Sequence, residues 1–224
     1  GSGTARATEG HFIFRDLGTQ AVSGKTKPIA VFELIGPREK PETTHRITGL
    51  RAELTGRNAE MAGLSAAVRR LKAGEGSVIC ICGDPGTGKG RLVQEFKATF
   101  EPDGLSWFEG HCYPYSQNIS YFPLIDLMNR AWRIEEADPP EKIREKIEPR
   151  LNQLLEDSPE LIPYIGSLYA LSYPQIEQVS PEFWLSRFID AVKSVVAALA
   201  RQGPTVFCFE DIHWADQPTL DLLR

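Results

Sequence analysis

The amino-acid sequence predicts an α/β fold, and two observations support this prediction. From about residue 48 onward, helix-type and strand-type patterns alternate along the chain. In addition, residues 77–82 and 205–209 form continuous apolar runs, as in strands that are buried on both faces of a sheet. Alternation of this kind is typical of a parallel sheet covered by helices, so we expect one α/β domain over residues 48–224.

Helices are predicted where apolar residues recur at intervals of three and four. We expect Asn58 to be the N-cap of the first helix and Asp216 to be the N-cap of the last one. Glu210 lies 121 residues after Lys89, which is more than two strands and two helices need, so additional helices are expected within residues 123–180. The main helices are predicted over residues 58–73, 89–100 and 181–202.

Residues 11–35 have a different pattern, which predicts a β-hairpin. Two apolar runs, residues 11–14 and 28–35, flank the turn-rich segment 18–27. They indicate two antiparallel strands, with room for a short third strand at residues 19–22. Because an isolated hairpin is marginally stable in water, it is interpreted as the tail of a larger sheet. The expected organisation is a hairpin at residues 1–36, a linker at residues 37–47, and the α/β domain.

Composition argues against several classes of protein. The 224 residues carry 25 basic and 30 acidic side chains and a net charge of −5, so general nucleic-acid or anionic-membrane binding is not expected. No run approaches the roughly 18 apolar residues of a membrane span. Cys80 and Cys82 are expected on one face of a strand, unable to bridge readily. All four cysteines, which also include Cys112 and Cys208, are expected to be buried reduced thiols, which favours the cytoplasm.

One segment matches the phosphate-loop pattern GxxxxGK. It reads Gly83-Asp84-Pro85-Gly86-Thr87-Gly88-Lys89, with a strand expected before it and a helix after it. Glycines let backbone N–H groups point at phosphate oxygens, the helix N-terminus adds partial positive charge, and Lys89 can reach the terminal phosphates. The segment therefore predicts a nucleotide site. The alternative is a strand-to-helix turn that binds nothing.

The residue that follows the lysine departs from the pattern. A Ser or Thr hydroxyl normally binds Mg²⁺ at this position, but the sequence has Gly90. Thr87 lies on the other side of the lysine and is not expected to replace that hydroxyl. Nucleotide binding is therefore better supported than hydrolysis.

Two acidic residues, Glu210 and Asp211, follow the apolar run at residues 205–209. In phosphate-loop enzymes, an acidic strand of this kind lies beside the phosphate-loop strand. Its first acid binds Mg²⁺, and the second orients or deprotonates water. Glu210 is the candidate metal ligand, and both acids are candidate catalytic residues. The alternative is that a strand ends in acids without any function.

Three segments follow one another in the order seen in a known family. They are residues 55–61, the phosphate loop, and residues 210–216, which read Glu-Asp-Ile-His-Trp-Ala-Asp. They resemble the AAA-type, STAND-like P-loop ATPase module of bacterial regulators that also contain a class III adenylate/guanylate cyclase domain. Residues 110–118 and 121–124 are similar to the same module. The hairpin, especially residues 14–18 and 22–29, resembles the closing hairpin of the cyclase domain.

This resemblance implies a P-loop NTPase fold, a three-layer αβα parallel sheet with a helical insertion, preceded by a short β-hairpin remnant. It implies ATP and Mg²⁺ as ligands, and the attached cyclase and downstream regulatory domains as partners. It also implies an ATPase domain truncated at its C-terminal end, without sensor and lid residues. Arg57 is expected near the nucleotide base; the alternative is a surface arginine at a helix start. The candidate nucleotide-binding residues are Arg57, Gly83, Asp84, Pro85, Gly86, Thr87, Gly88, Lys89, Gly90 and Arg91.

The function that this resemblance implies is an ATP-binding regulatory module of a multidomain signalling protein, with weak or absent hydrolysis. An alternative of a different class is an interaction or scaffold module that keeps the fold without turnover and controls an attached output domain. Gly90 keeps this alternative open. The choice between ATP and GTP also stays open.

Overall fold

The structure, a computed structural model, describes residues 5, 12–20, 29–37, 54–100 and 104–224. The chain divides into two compact units, Gly1–Glu53 and Leu54–Arg224. The expected hairpin tip and nearly all of the expected linker lie outside the described residues. None of the described helices combines the length and the apolar character that a membrane crossing requires.

The first unit contains an antiparallel pair, β1 (Phe12–Gln20) and β2 (Ile29–Pro37), as predicted. The expected third strand is wrong in its described part, because Thr19 and Gln20 continue β1 and pair with β2. The register shifts between Asp16 and Thr19, where Gly18 has a φ of 75° and its N–H donates to the Asp16 carboxylate at 2.8 Å. Because of this irregularity, β1 continues through residues 18–20, where the sequence predicted a turn.

The second unit contains seven α-helices and two strands among its described residues, with five short 3₁₀ turns. The helices are α1 (Asn58–Lys72), α2 (Lys89–Phe100), α3 (Phe122–Trp132), α4 (Pro140–Leu154), α5 (Ile162–Gly166), α6 (Pro181–Gln202) and α7 (Gln217–Leu222). The strands are β3 (Ser106–His111) and β4 (Thr205–Glu210). The 3₁₀ turns are Pro114–Ser116, Pro159–Leu161, Ser167–Tyr169, Pro174–Ile176 and Ile212–Trp214.

The predicted helices are confirmed, including the additional helices between residues 123 and 180. One cap assignment is wrong: Asn58 is the first helical residue, and the N-cap is Arg57. The Arg57 carbonyl accepts the first helical hydrogen bond, from the N–H of Met61 at 3.0 Å. The predicted cap at Asp216 is confirmed, since its side chain accepts from the N–H of Thr219.

Residues 77–82 do not form a strand, so the prediction of a strand there is wrong. No described strand pairs with this segment. Most of its side chains are exposed: Val78 is 99% exposed, and Cys80 and Cys82 are also exposed, whereas Ile81 packs against the apolar cluster of α1 and α2. Apolar composition alone does not make a strand, because a strand needs a neighbour to satisfy its backbone groups.

The acidic strand β4 pairs in parallel with β3, not with the segment before the phosphate loop. Its predicted position beside that segment is therefore wrong. The register runs from Ser106 opposite Thr205 to His111 opposite Glu210. The described parallel sheet thus has two strands, and it brings the ends of two segments, about a hundred residues apart in sequence, to one edge.

Helices cover both faces of this sheet. On one face, Phe108 stacks on Phe207, and both pack against the main buried cluster, which includes Ile147, Leu151 and Phe188. On the other face, Trp107 packs against a smaller cluster from α1 and α2, formed by Leu64, Val68, Leu92 and Phe96. The alternation of side chains along β3 therefore separates two apolar layers.

The prediction of four buried thiols is wrong for two of them. All four cysteines are free, as predicted, but Cys80 and Cys82 are exposed while Cys112 is buried and Cys208 is partly buried. The Sγ atoms of Cys80 and Cys82 lie 3.3 Å apart, which agrees with their expected position on one face of the segment.

Candidate functional site

The phosphate-loop residues form a compact turn at the start of α2. Gly86 and Gly88 have φ values of 81° and 84°, a left-handed conformation that side chains other than glycine rarely adopt. Within the turn, Thr87 donates from its N–H and from its hydroxyl to the carbonyl of Asp84, at 3.3 Å and 2.8 Å. Gly83, Asp84 and the residues up to Gly88 are exposed to solvent. The loop is therefore built by local bonds and remains open to a ligand.

Lys89 lies over this loop. Its Nζ donates to the carbonyl oxygens of Gly83 at 2.9 Å and Asp84 at 3.1 Å. The positive charge is thus held beside the exposed loop, at the first residue of α2, where the helix dipole is also positive. This combination of charges favours an anion such as a phosphate group.

Arg57 connects α1 to the loop. Its guanidinium donates to the Thr87 carbonyl at 2.8 Å and to the Glu60 carboxylate at 2.6 Å. The hydrogen bond from Arg57 lowers the pKa of Glu60. Arg57 also lines a cavity of about 340 Å³ between α1, the segment before the loop, and Lys89. Arg57 therefore lies at the candidate site and is bonded to the loop.

Two further residues were predicted to bind the nucleotide, Pro85 in the loop and Arg91 just after it. Arg91, on the first turn of α2, has a guanidinium nitrogen 3.9 Å from the Glu95 carboxylate. Pro85 is exposed at the turn of the loop. The structure places both residues in the same segment as the loop.

Glu210 reaches the start of α2 from the end of β4. A Cβ atom built on Gly90 would lie 3.8 Å from Glu210 Oε2, with no closer neighbour. A side chain at position 90 would therefore begin close to this carboxylate. Glu210 can supply an oxygen to Mg²⁺ here, but Gly90 supplies none. The Thr87 hydroxyl is engaged with the Asp84 carbonyl.

Asp211 follows Glu210 in an exposed turn. Its backbone is left-handed, with a φ of 53°, and its carbonyl accepts from the Trp214 N–H at 2.9 Å. Burial is the main cause that raises the pKa of Glu210, and the charges of Glu109 and Asp211 act in the same direction. Asp211 is therefore close enough to influence Glu210 electrostatically.

Sequence reasoning missed a cluster beside Glu210. His111, at the end of β3, places Nε2 3.3 Å from Glu109 Oε1 and 3.7 Å from Glu210 Oε2. Its Nδ1 is buried and lies 3.4 Å from Asp126 Oδ2, without an aligned hydrogen bond. The signal that could have found the cluster is the alternation Glu109-x-His111, which puts both side chains on one face of a strand.

The cluster combines three carboxylates with the imidazole. Asp126, followed by Glu109, raises the pKa of His111 to about 9. His111 in turn lowers the pKa of Glu109 to about 2, and Lys97, 3.0 Å from Glu109, acts in the same direction. Asp126 also accepts from Arg130 Nε at 2.7 Å. The end of the sheet is thus a strongly charged and partly buried region next to the start of α2.

Comparisons with known proteins agree with these features. A family model described as the AAA ATPase domain matches residues 53–224. An uncharacterized protein of Rhizobium meliloti (strain 1021) is 23% identical over 215 residues, which is 95% of this chain and 20% of that protein. The chain thus spans about a fifth of the length of this relative. No solved structure matches the chain significantly.

The family match covers well over half of the chain and includes the phosphate loop, Arg57 and Glu210. The family implies a P-loop α/β fold, and the helices on both faces of the parallel pair β3–β4 agree with it. We conclude that the chain belongs to the AAA ATPase domain family.

Proposed function

We propose that the chain is an ATP-binding regulatory module of a multidomain cyclase-type signalling protein. The observation that carries the proposal is the exposed phosphate loop, with Lys89 held over it and Glu210 at the adjacent start of α2. Backbone N–H groups, a helix N-terminus and a lysine together can bind the phosphates of a nucleoside triphosphate. Mg²⁺ would be held by Glu210, by the nucleotide and by water.

Hydrolysis by this chain is proposed to be slow or absent. Phosphoryl transfer depends on a correctly placed metal and on neutralisation of charge at the phosphates. Gly90 provides no oxygen at the position where a Ser or Thr hydroxyl normally binds Mg²⁺. Glu210 and Asp211 remain the candidate catalytic acids. Bound nucleotide would then act chiefly as a signal that stabilises one state of the module.

The cyclase context is also a proposal. It is supported by the hairpin β1–β2 and by the resemblance of the three motif segments. In this arrangement, residues 1–36 close a cyclase domain, residues 37–47 form a linker, and residues 48–224 belong to the ATPase domain. The partners would be the nucleotide and the attached cyclase and downstream regulatory domains, in the cytoplasm, without nucleic acid or membrane.

The alternative function is that of an interaction module that keeps the fold but neither hydrolyses nor responds to nucleotide. The missing hydroxyl at Gly90 is the observation that favours it. The two functions differ in one measurable respect. A regulatory switch is stabilised by ATP, by about 2.7 kcal/mol at one hundred times the dissociation constant, whereas the interaction module is not.

Isothermal titration calorimetry with ATP, ADP and GTP, with Mg²⁺ and with EDTA, tests the proposal. We expect ATP to bind, and Lys89→Ala to weaken its binding by about 10- to 100-fold, because a charged hydrogen-bond donor to the phosphates is lost. The matched control is Lys193→Ala, an exposed lysine on α6, which is expected to bind like the unaltered chain. Unchanged affinity of Lys89→Ala would place the site elsewhere, and no binding of any nucleotide would favour the interaction module.

A further inference from the structure

We propose that Glu109, His111 and Glu210 bind a divalent transition-metal ion, such as Mn²⁺, Co²⁺ or Zn²⁺, in the absence of nucleotide. One ligand atom from each of these residues lies within 4.8 Å of the other two. The site shares Glu210 with the proposed nucleotide site, so it deepens that function without requiring the nucleotide.

The donor atoms are spaced as metal ligands are. The Nε2 atom of His111 lies 3.3 Å from one Glu109 oxygen and 3.7 Å from one Glu210 oxygen. Ligands at about 2.1 Å from a metal are roughly 3.0 Å apart in an octahedral arrangement and roughly 3.4 Å apart in a tetrahedral one. The two distances from His111 are thus close to the spacing of ligands on one ion, and the glutamate oxygens lie within 4.8 Å of each other.

The register of the sheet holds these donors in place. Glu109 and His111 are two positions apart on β3 and share a face. Glu210 on β4 lies opposite His111 in the parallel ladder. Rigid strands thus carry all three ligands, and none of them depends on the exposed loop.

The surroundings of the imidazole match those of metal-bound histidines. Such a histidine usually presents its other ring nitrogen to a carboxylate, which orients the ring and makes it a better donor. Here Nδ1 faces Asp126 Oδ2 at 3.4 Å. Asp126 is itself held by the backbone N–H of His111 at 2.8 Å and by Arg130 Nε at 2.7 Å. A buried nitrogen without an aligned partner is therefore aimed at a fixed acceptor.

The donor set favours a transition metal over Mg²⁺. Mg²⁺ prefers oxygen ligands in strict octahedral geometry, whereas imidazole suits the later first-row ions and carboxylates suit Mn²⁺. The competing explanation is an ion-pair network without metal, in which Lys97 and a protonated His111 neutralise the carboxylates. A metal ion would replace the ring proton in this network.

Pulsed electron paramagnetic resonance of Mn²⁺ added to the nucleotide-free chain tests the proposal. We expect nitrogen coupling from one imidazole, which disappears in His111→Gln and persists in His213→Gln. His213 is the matched control because it lies near the cluster in sequence but contacts Trp214. In calorimetry, Glu109→Gln and His111→Gln should each raise the Mn²⁺ dissociation constant at least tenfold, and Mg²⁺ should bind at least tenfold more weakly than Mn²⁺.

Lack of nitrogen coupling in the unaltered chain would overturn the proposal and favour the ion-pair network without metal. This outcome does not depend on whether the variants fold. Mg²⁺ affinity equal to that of Mn²⁺ would overturn it as well. Circular dichroism of each variant checks its fold. ATP binding in EDTA tests the nucleotide function alone, so the two proposals can fail separately.

Discussion

Two loops in this chain each lead into a helix, but they differ in construction. In the phosphate loop, the polar groups bond to near neighbours, such as the Thr87 hydroxyl to the Asp84 carbonyl. In the connection at residues 211–216, Asp216 bonds to Thr219 and also to the backbone N–H of Tyr121, ninety-five residues away. The phosphate loop is built mainly by local bonds, with one anchor from Arg57 to the Thr87 carbonyl, whereas the second loop depends on tertiary contacts.

Burial follows the same division. Residues 83–88 are exposed, whereas Asp216 is 4% exposed and Thr219 is fully buried. Exposed backbone groups are available to a ligand, but buried polar groups must be satisfied within the protein. An acid or a glycine before a helix therefore indicates a binding site only when the surrounding chain leaves it open.

The largest change is expected from Asp216→Ala, in the loop that tertiary contacts hold. The substitution leaves the N–H groups of Tyr121 and Thr219 without their acceptor and removes the partner of the Thr219 hydroxyl. We expect the free energy of unfolding to fall by about 3 kcal/mol, measured by urea denaturation. The exposed Asp221→Ala is the control, with an expected change within about 0.5 kcal/mol. A loss at Asp216 as small as that of the control would show that its buried bonds do not stabilise the connection.

A smaller effect is expected from Arg57→Ala, which tests whether the phosphate loop needs its contact with α1. The variant loses the hydrogen bond to the Thr87 carbonyl, and with it the anchor from α1. We expect ATP affinity to fall about three- to tenfold by calorimetry, as for a partly exposed charged hydrogen bond. Arg69→Ala, an exposed arginine on the same helix, should leave the affinity unchanged. If Arg57→Ala binds like the control, the loop forms without tertiary help.

The smallest effect is expected from Gly90→Ser, with Gly90→Ala as its control. Both variants add a Cβ, which has room, since its nearest neighbour would be Glu210 at 3.8 Å. Only serine adds an oxygen for Mg²⁺, so we expect Mg·ATP to gain a few-fold in affinity over metal-free ATP in that variant alone, with little gain in turnover. Equal responses of the two variants to Mg²⁺, or brisk hydrolysis by the unaltered chain, would contradict this account.

The sequence predicted the parts of the molecule that near neighbours determine. Helices α2 and α6 begin and end at the predicted residues, because a 3.6-residue period and a Gly-Pro stop are local signals. The phosphate loop was predicted for the same reason, since left-handed turns at Gly86 and Gly88 are a property of glycine itself.

Pairing between strands that are far apart in sequence could not be predicted in this way. The apolar residues 77–82 have the composition of a strand, yet no described strand pairs with them, while β3, which includes Glu109, Gly110 and His111, does pair. A strand depends on the hydrogen bonds of a neighbour that is distant in sequence, and composition does not name that neighbour. Long-range strand pairing was therefore the least predictable feature.

The nucleotide motif, the main helices and the acids at the end of β4 could all be predicted from local sequence patterns. Three features became evident only in the folded chain: His111 lies opposite Glu210, Glu210 lies near Gly90, and Asp126 faces the imidazole. The physical reason is distance along the chain. Hydrogen bonds within a turn follow from the residues of that turn, whereas a charged cluster forms where packed strands and helices end together.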